Sequence, residues 1–182
     1  MRFSGSRFEL PLVLCNSAHR FIVAEQIRSA NITVRDIILE RYGRNTGPAA
    51  AVAAMALSVK DADAMILLLP SDHLIANQDA FQAAIDTAAT AAENGYMMTF
   101  GISLSGPKTG YGYILSANEL DLAPGCFAVQ RFIEKPDLKN AQKMIDAGGH
   151  SWNSGIFLFK SSLYLEELKR LQPDVFAACE KS

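Results

Sequence analysis

Four short apolar runs alternate with three stretches of helical patterning over residues 10–102, and this alternation constrains the fold more than any other feature of the chain. The runs occupy residues 10–15, 36–40, 64–69 and 96–102. Residues 64–69 are apolar throughout, the pattern of a strand buried on both faces, and Pro70 ends them. Between the runs, residues 18–29 place Phe21, Ala24 and Ile27 at helical spacing, with Ser17 available as a cap. Residues 49–60 are alanine-rich and follow Pro48, which suits the first helical position. Residues 78–94 put Phe81, Ile85, Ala88 and Ala92 on one face and stop at Gly95. A β-α-β-α-β-α-β order predicts an α/β fold with three α/β/α layers. Its central sheet would be mostly parallel, with the four runs as neighbours in it.

The pattern changes after residue 102. Gly106, Pro107, Gly110 and Gly112 break the chain, and short β-like runs follow at 112–115 and 126–134. A helix is expected over 137–147, stopped by Gly148 and Gly149, then a strand over 156–160 and a helix over 161–171. The length of 182 residues suits one domain, and 49% hydrophobic with 20% charged residues excludes a disordered chain. A net charge of −2 without a basic stretch argues against nucleic acid as a partner. Cys15, Cys126 and Cys179 lie far apart without metal-ligand spacing, as expected for reduced thiols in a cytoplasmic protein. Residues 1–9 do not resemble a signal peptide, and the apolar run 64–69 is too short to span a membrane.

In open α/β sheets, ligands bind beyond the carboxyl ends of the strands, so the residues following each run are the candidates for chemistry. Asp72, in Pro70-Ser71-Asp72-His73, is placed to hold Mg²⁺, a cation bound by one or two carboxylates together with phosphates. Asp is equally at home in a plain turn. The loop 43–48 feeds backbone N–H groups into a helix start, where they could meet an anion or a base edge, or Thr46 could simply cap the helix. Glu134 and Lys135 pair an acceptor for sugar hydroxyls with a cation for phosphate; a surface ion pair before the turn at Pro136 is the plainer alternative. Gly110, Gly112 and Gly155 permit close approach of a ligand to backbone, or mark bulges. Trp152 reads as a packing residue and Asn153 as a polar contact. No Ser/His/Asp or Cys/His set stands at catalytic spacing.

Taken in order, these segments resemble the mannose-1-phosphate guanylyltransferases, including the form fused to a type II mannose-6-phosphate isomerase. The similarity runs from about residue 12 to about residue 160. It is carried by Val13-Leu14-Cys15-Asn16 with His19-Arg20-Phe21, by Ile38-Leu39-Glu40 with Gly43-Arg44-Asn45-Thr46, and by Leu69-Pro70-Ser71-Asp72-His73. It continues through Thr99-Phe100-Gly101-Ile102, Thr109-Gly110-Tyr111-Gly112-Tyr113-Ile114, Phe132-Ile133-Glu134-Lys135-Pro136-Asp137 and Trp152-Asn153-Ser154-Gly155-Ile156-Phe157. The resemblance implies a nucleotide-diphosphosugar transferase fold of Rossmann-like type. It implies that mannose 1-phosphate attacks the α-phosphorus of GTP, giving GDP-mannose and pyrophosphate, in nucleotide-sugar and polysaccharide biosynthesis. By the same resemblance, Arg44, Asn45, Thr46, Pro70 and Ser71 would lie on the nucleotide, and Tyr111, Gly112, Glu134, Lys135 and Asn153 on the sugar phosphate. Asp72 would hold the magnesium, and Asp72 and Lys135 would be the catalytic pair.

The chain also departs from that family. The family opens with a glycine-rich loop bearing an arginine and a nearby lysine, which Ser4-Gly5-Ser6-Arg7 does not match. Arg41 stands where proline is usual and Gly47 where alanine is usual. The expectation is therefore a partial nucleotidyltransferase domain over 1–182, without the first strand of the fold, the second metal carboxylate, or the β-helix and isomerase parts. Such a chain would be inactive alone and prone to self-association, which is compatible with a homo-oligomer. Two alternatives stay open: a nucleotidyltransferase for another base or sugar, and a non-catalytic form that binds substrate or a full-length partner.

Overall fold

The computed structural model describes residues 7–43 and 45–181. They form two compact units, one comprising the chain up to Ala64 with the residues from Tyr164 onward, the other Met65–Leu163. The first unit is built on two parallel strands, β1 (Leu12–Asn16) and β2 (Asp36–Glu40), in register from Leu12 opposite Asp36 to Asn16 opposite Glu40. Parallel strands need a crossover, supplied here by a short 3₁₀ turn (Ser17–His19) and helix α1 (Arg20–Ser29). Asn16, not Ser17, caps that turn, its Oδ1 accepting from the amide of Ala18 at 2.9 Å. Helix α2 (Thr46–Ser58) packs on β1 and on the C-terminal helix α6 (Pro173–Glu180), reached through α5 (Ser161–Leu171). Ala50, Ala51, Ala53 and Ala54 are the buried residues of α2, because only small side chains let the helix approach its neighbours closely.

The second unit corrects the expectation of one mainly parallel sheet. Strands β3 (Met65–Leu68) and β4 (Met98–Ile102) do not join β1 and β2, and they do not pair with each other. Each pairs antiparallel with β7 (His150–Lys160), which also pairs antiparallel with β5 (Tyr113–Leu120); β5 in turn pairs antiparallel with β6 (Ala123–Ile133). Among the described residues β1–β2 is the one parallel pairing. The cause is β7, expected only over 156–160 but running for 11 residues between β3 and β4. Leu68 and Thr99 both lie opposite Phe157, so β3 and β4 point the same way with an antiparallel strand between them. The helix–strand alternation and the α/β class hold, whereas the neighbour relations do not.

Helix α3 (Gln78–Glu93) packs on β6 and β7, burying Ile85, Ala88, Ala91 and Ala92, and Asn77 caps it by accepting from the amide of Ala80 at 3.0 Å. Ala88 and Ala92 meet Leu158, with Leu67, Met98 and Phe100 around them. Helix α4 (Leu138–Ala147) is capped by Asp137 and contributes Ala141 to a cluster with Tyr113 and Trp152. The final helix α6 was not legible beyond residue 171, although Pro173 stands at its start as a first-turn proline should. No helix among the described residues is long and apolar enough to cross a membrane.

Two glycines should respond in opposite directions to alanine. Gly47 lies in the first turn of α2, and a Cβ there would meet only the Tyr164 hydroxyl at 3.8 Å. Gly47→Ala should raise stability by about 0.5 kcal/mol through helix propensity. On β4, a Cβ at Gly101 would press on the Ser151 side chain, coming within 2.9 Å of its Cβ. Gly101→Ala should cost about 1–3 kcal/mol by overpacking. Urea denaturation of both variants checks the pair.

Candidate active site

β7 is longer than the strands beside it, and that mismatch leaves a crevice in the strand pairing along one edge. Along one edge of β7, β3 pairs with residues 157–160 and β5 with residues 150–152. Residues 153–156 of that edge lie between the end of β3 and the start of β5. The chain bulges there: β4 moves from Thr99 opposite Phe157 to Gly101 opposite Asn153, and Gly155 takes φ +70°. Only glycine adopts that conformation cheaply, and bulges of this kind re-aim side chains at the rims of sites.

The strand ends bring several of the predicted residues to this gap. Gly112 precedes β5, and its carbonyl accepts from the Asn153 amide at 2.8 Å. β6 ends at Ile133 opposite Tyr113, so Glu134 and Lys135 emerge beside Gly112. A Cβ on Gly112 would come within 3.0 Å of Glu134 Oε2 and 3.7 Å of Asn153 Cβ, so Gly112, Glu134 and Asn153 stand close together. From the other side comes Pro70, whose ring carbon lies 3.6 Å from where a Cβ on Gly155 would stand. Asp72 follows in an exposed turn together with Ser71.

Asn153 is held in one orientation. Its Oδ1 accepts from the Gly155 amide at 3.1 Å, an Asx turn, and lies 3.2 Å from the Thr99 hydroxyl, whose one proton it shares with the Ile156 carbonyl, also at 3.2 Å. With the oxygen so engaged, the amide NH₂ is the end left to meet a ligand oxygen. Thr99 was not among the predicted site residues, although a hydroxyl inside the apolar run 96–102 was a readable signal.

Glu134 and Lys135 do form the ion pair that was the plainer reading, with Oε1 3.4 Å from Nζ and both side chains largely exposed. An exposed pair of this kind contributes little to stability. The backbone is more informative. Lys135 has φ +40°, a left-handed conformation rare for a side-chain-bearing residue and disfavoured again by the following Pro136, which is buried. Strain of this sort persists only where the surroundings impose it, and it collects at ligand sites.

Tyr113 braces the glycine-rich loop before β5. Fully buried, it accepts from the Lys108 amide and donates to the Lys108 carbonyl, both at 2.9 Å. Tyr111, half exposed, lays its ring edge-on to buried Trp152 with centroids 5.2 Å apart. Trp152 is thus the packing residue expected.

The nucleotide-side candidates divide. Pro70 and Ser71 stand at the crevice, Asn45 and Thr46 belong to the first unit, and Arg44 lies outside the described residues. Thr46 is not the helix cap. It is the first residue of α2, while Asn45 occupies the cap position without a side-chain cap bond, at φ 65°, ψ −173°. That backbone region is close to glycine-only, so Asn45 is the second strained candidate. For a metal, the described residues contain no group of three or more His, Cys, Asp or Glu. The Asp72 carboxylate stands in an exposed turn, and Mg²⁺ needs only one or two protein carboxylates.

Tyr113→Phe should free the loop 104–112 by removing both bonds to Lys108, lowering stability by about 1–2 kcal/mol. Limited proteolysis should then cut within that loop first.

Comparison with known proteins identifies the family. The model of the nucleotidyl transferase family matches residues 1–182. The chain is 49% identical to a mannose-1-phosphate guanylyltransferase of Escherichia coli (strain K12), across all of this chain and 39% of that protein. It is 48% identical to the alginate biosynthesis protein AlgA of Pseudomonas aeruginosa, across 98% of this chain and 37% of that one. It thus spans less than two-fifths of the length of these relatives. A crystal structure of a mannose-6-phosphate isomerase from Helicobacter pylori superposes with a TM-score of 0.79 at 37% identity, covering 93% of this chain and 62% of the other. A match along the whole chain, over strand ends that carry the expected polar residues, places it in the nucleotidyl transferase family.

Proposed function

We propose that the protein serves as a mannose-1-phosphate guanylyltransferase of the cytoplasm, supplying GDP-mannose for polysaccharide synthesis from GTP and mannose 1-phosphate. The observation that carries this reading is the crevice on β7, where Gly112, Glu134 and oriented Asn153 meet beside the Pro70 turn. Relatives named for this reaction and for alginate biosynthesis support the choice of substrate and pathway.

In the proposed reaction a phosphate oxygen of mannose 1-phosphate forms a bond to the α-phosphorus of GTP, and the bond from that phosphorus to the bridging β-oxygen breaks. Pyrophosphate leaves with the electron pair. Phosphoryl chemistry of this kind depends on in-line positioning and charge neutralisation. Glu134 accepts hydrogen bonds from the sugar hydroxyls, and the Asn153 amide donates to a sugar oxygen. Gly112 and Tyr111 offer backbone and a ring wall. Lys135 sets its ammonium against the sugar phosphate. Pro70 and Ser71 border the nucleotide, while Arg44, Asn45 and Thr46 form the base-side loop. Asp72 would hold Mg²⁺, which supplies charge neutralisation at the phosphates.

Sugar-phosphate binding tests this reading directly. Glu134→Gln and Lys135→Met should each weaken mannose 1-phosphate binding about tenfold, as loss of a charge-assisted hydrogen bond does. Calorimetry showing no affinity for mannose 1-phosphate in the unaltered chain would remove the reading.

A further inference from the structure

The start of α2 is held from an unexpected direction. The Tyr164 hydroxyl donates to the Gly47 carbonyl at 2.8 Å across 117 residues of sequence. The next carbonyl, that of Pro48, takes a weaker donor, Cys179 Sγ at 3.9 Å. Two successive first-turn carbonyls therefore receive side chains from the C-terminal helices. In an α-helix those oxygens already accept from amides four residues on, so these donors add restraint to groups that already have partners.

The turn needs that restraint from elsewhere, because its own cap does not supply it. Asn45 makes no side-chain cap bond and sits at φ 65°, ψ −173°. A loop without a cap and with a strained residue at its end relaxes unless tertiary contacts fix it. Partial burial raises the Tyr164 hydroxyl above its ordinary pKa, with Cys179 adding to the effect.

We propose that Tyr164 is a positioning residue for nucleotide selection: by holding the Gly47 carbonyl it fixes the first turn of α2, and with it the Asn45–Thr46 backbone that reads the base. This rests on the reading of residues 43–48 as the nucleotide loop. Tyr164 touches no ligand. It acts through the backbone between itself and the base.

Tyr164→Phe keeps the ring and deletes the donor. In the chain as it stands, amide exchange at Ala50 and Ala51 should quicken about fivefold, the effect of one lost hydrogen bond. Exchange at Ala91 and Ala92 should not change. Calorimetry should show GTP affinity falling about fivefold, with ATP and mannose 1-phosphate affinities unmoved. Faster exchange with GTP preference retained makes Tyr164 a merely structural residue and overturns the proposal. Unchanged exchange overturns it too. An unaltered chain that binds GTP no better than ATP removes the nucleotide-loop reading itself, and the proposal with it. Should the phenylalanine variant not fold, Cys179→Ala removes the weaker donor; about a twofold loss of GTP affinity is expected, and no loss overturns the proposal.

Discussion

Hydrogen bonding along both edges of β7 is the constraint on which the second unit depends. Phe157 lies opposite both Leu68 and Thr99, and Trp152 opposite both Ile102 and Tyr113. Among the described residues, β3 and β4 have no other strand partner. The same strand builds the crevice, because its length exceeds that of either neighbour and leaves residues 153–156 between them. Architecture and site are therefore one feature: the register that satisfies the backbone also decides which side chains converge.

Much of this was readable in the chain, for identifiable reasons. Residues 36–40 were legible as a strand, residues 78–94 as an amphipathic helix stopped by Gly95, and residues 137–147 as a helix stopped by Gly148. Glu134, Asn153 and Gly112 were legible as polar or small residues at element ends, and the structure brings them together. What could not be read was pairing. Local pattern says that residues 64–69 form a buried strand; it does not say that the partner lies some ninety residues on and runs antiparallel. The first half of β7 was missed because Trp152-Asn153-Ser154-Gly155 mixes polar residues with a glycine. Such a mixture hides a strand from a reading based on propensity. Thr99 and Tyr164 escaped for a related reason: each matters through a partner remote in sequence.

Backbone strain separates binding candidates from ordinary turns better than charge does here. Three non-glycine residues take positive φ among those described, Asn31, Asn45 and Lys135, and two of them lie in the candidate binding segments. The Glu134–Lys135 ion pair alone would pass for a surface contact. The left-handed Lys135 before a buried proline would not, since a relaxed turn avoids it. Asp72 carries no comparable signature, and its proposed role rests on its place after β3.

The late position of β7 also dictates an order of assembly. β3 and β4 leave the ribosome well before residues 150–160, and until then neither has the strand it pairs with. Pairings closed over such long stretches raise contact order and slow folding, while α3, formed from local contacts, can appear early. During synthesis the apolar segments 65–68 and 98–102 wait as unpaired edges beside a finished helix. That interval is when the chain is most open to aggregation and has most to gain from a chaperone. The strand that shapes the crevice is also the one whose arrival ends the exposure.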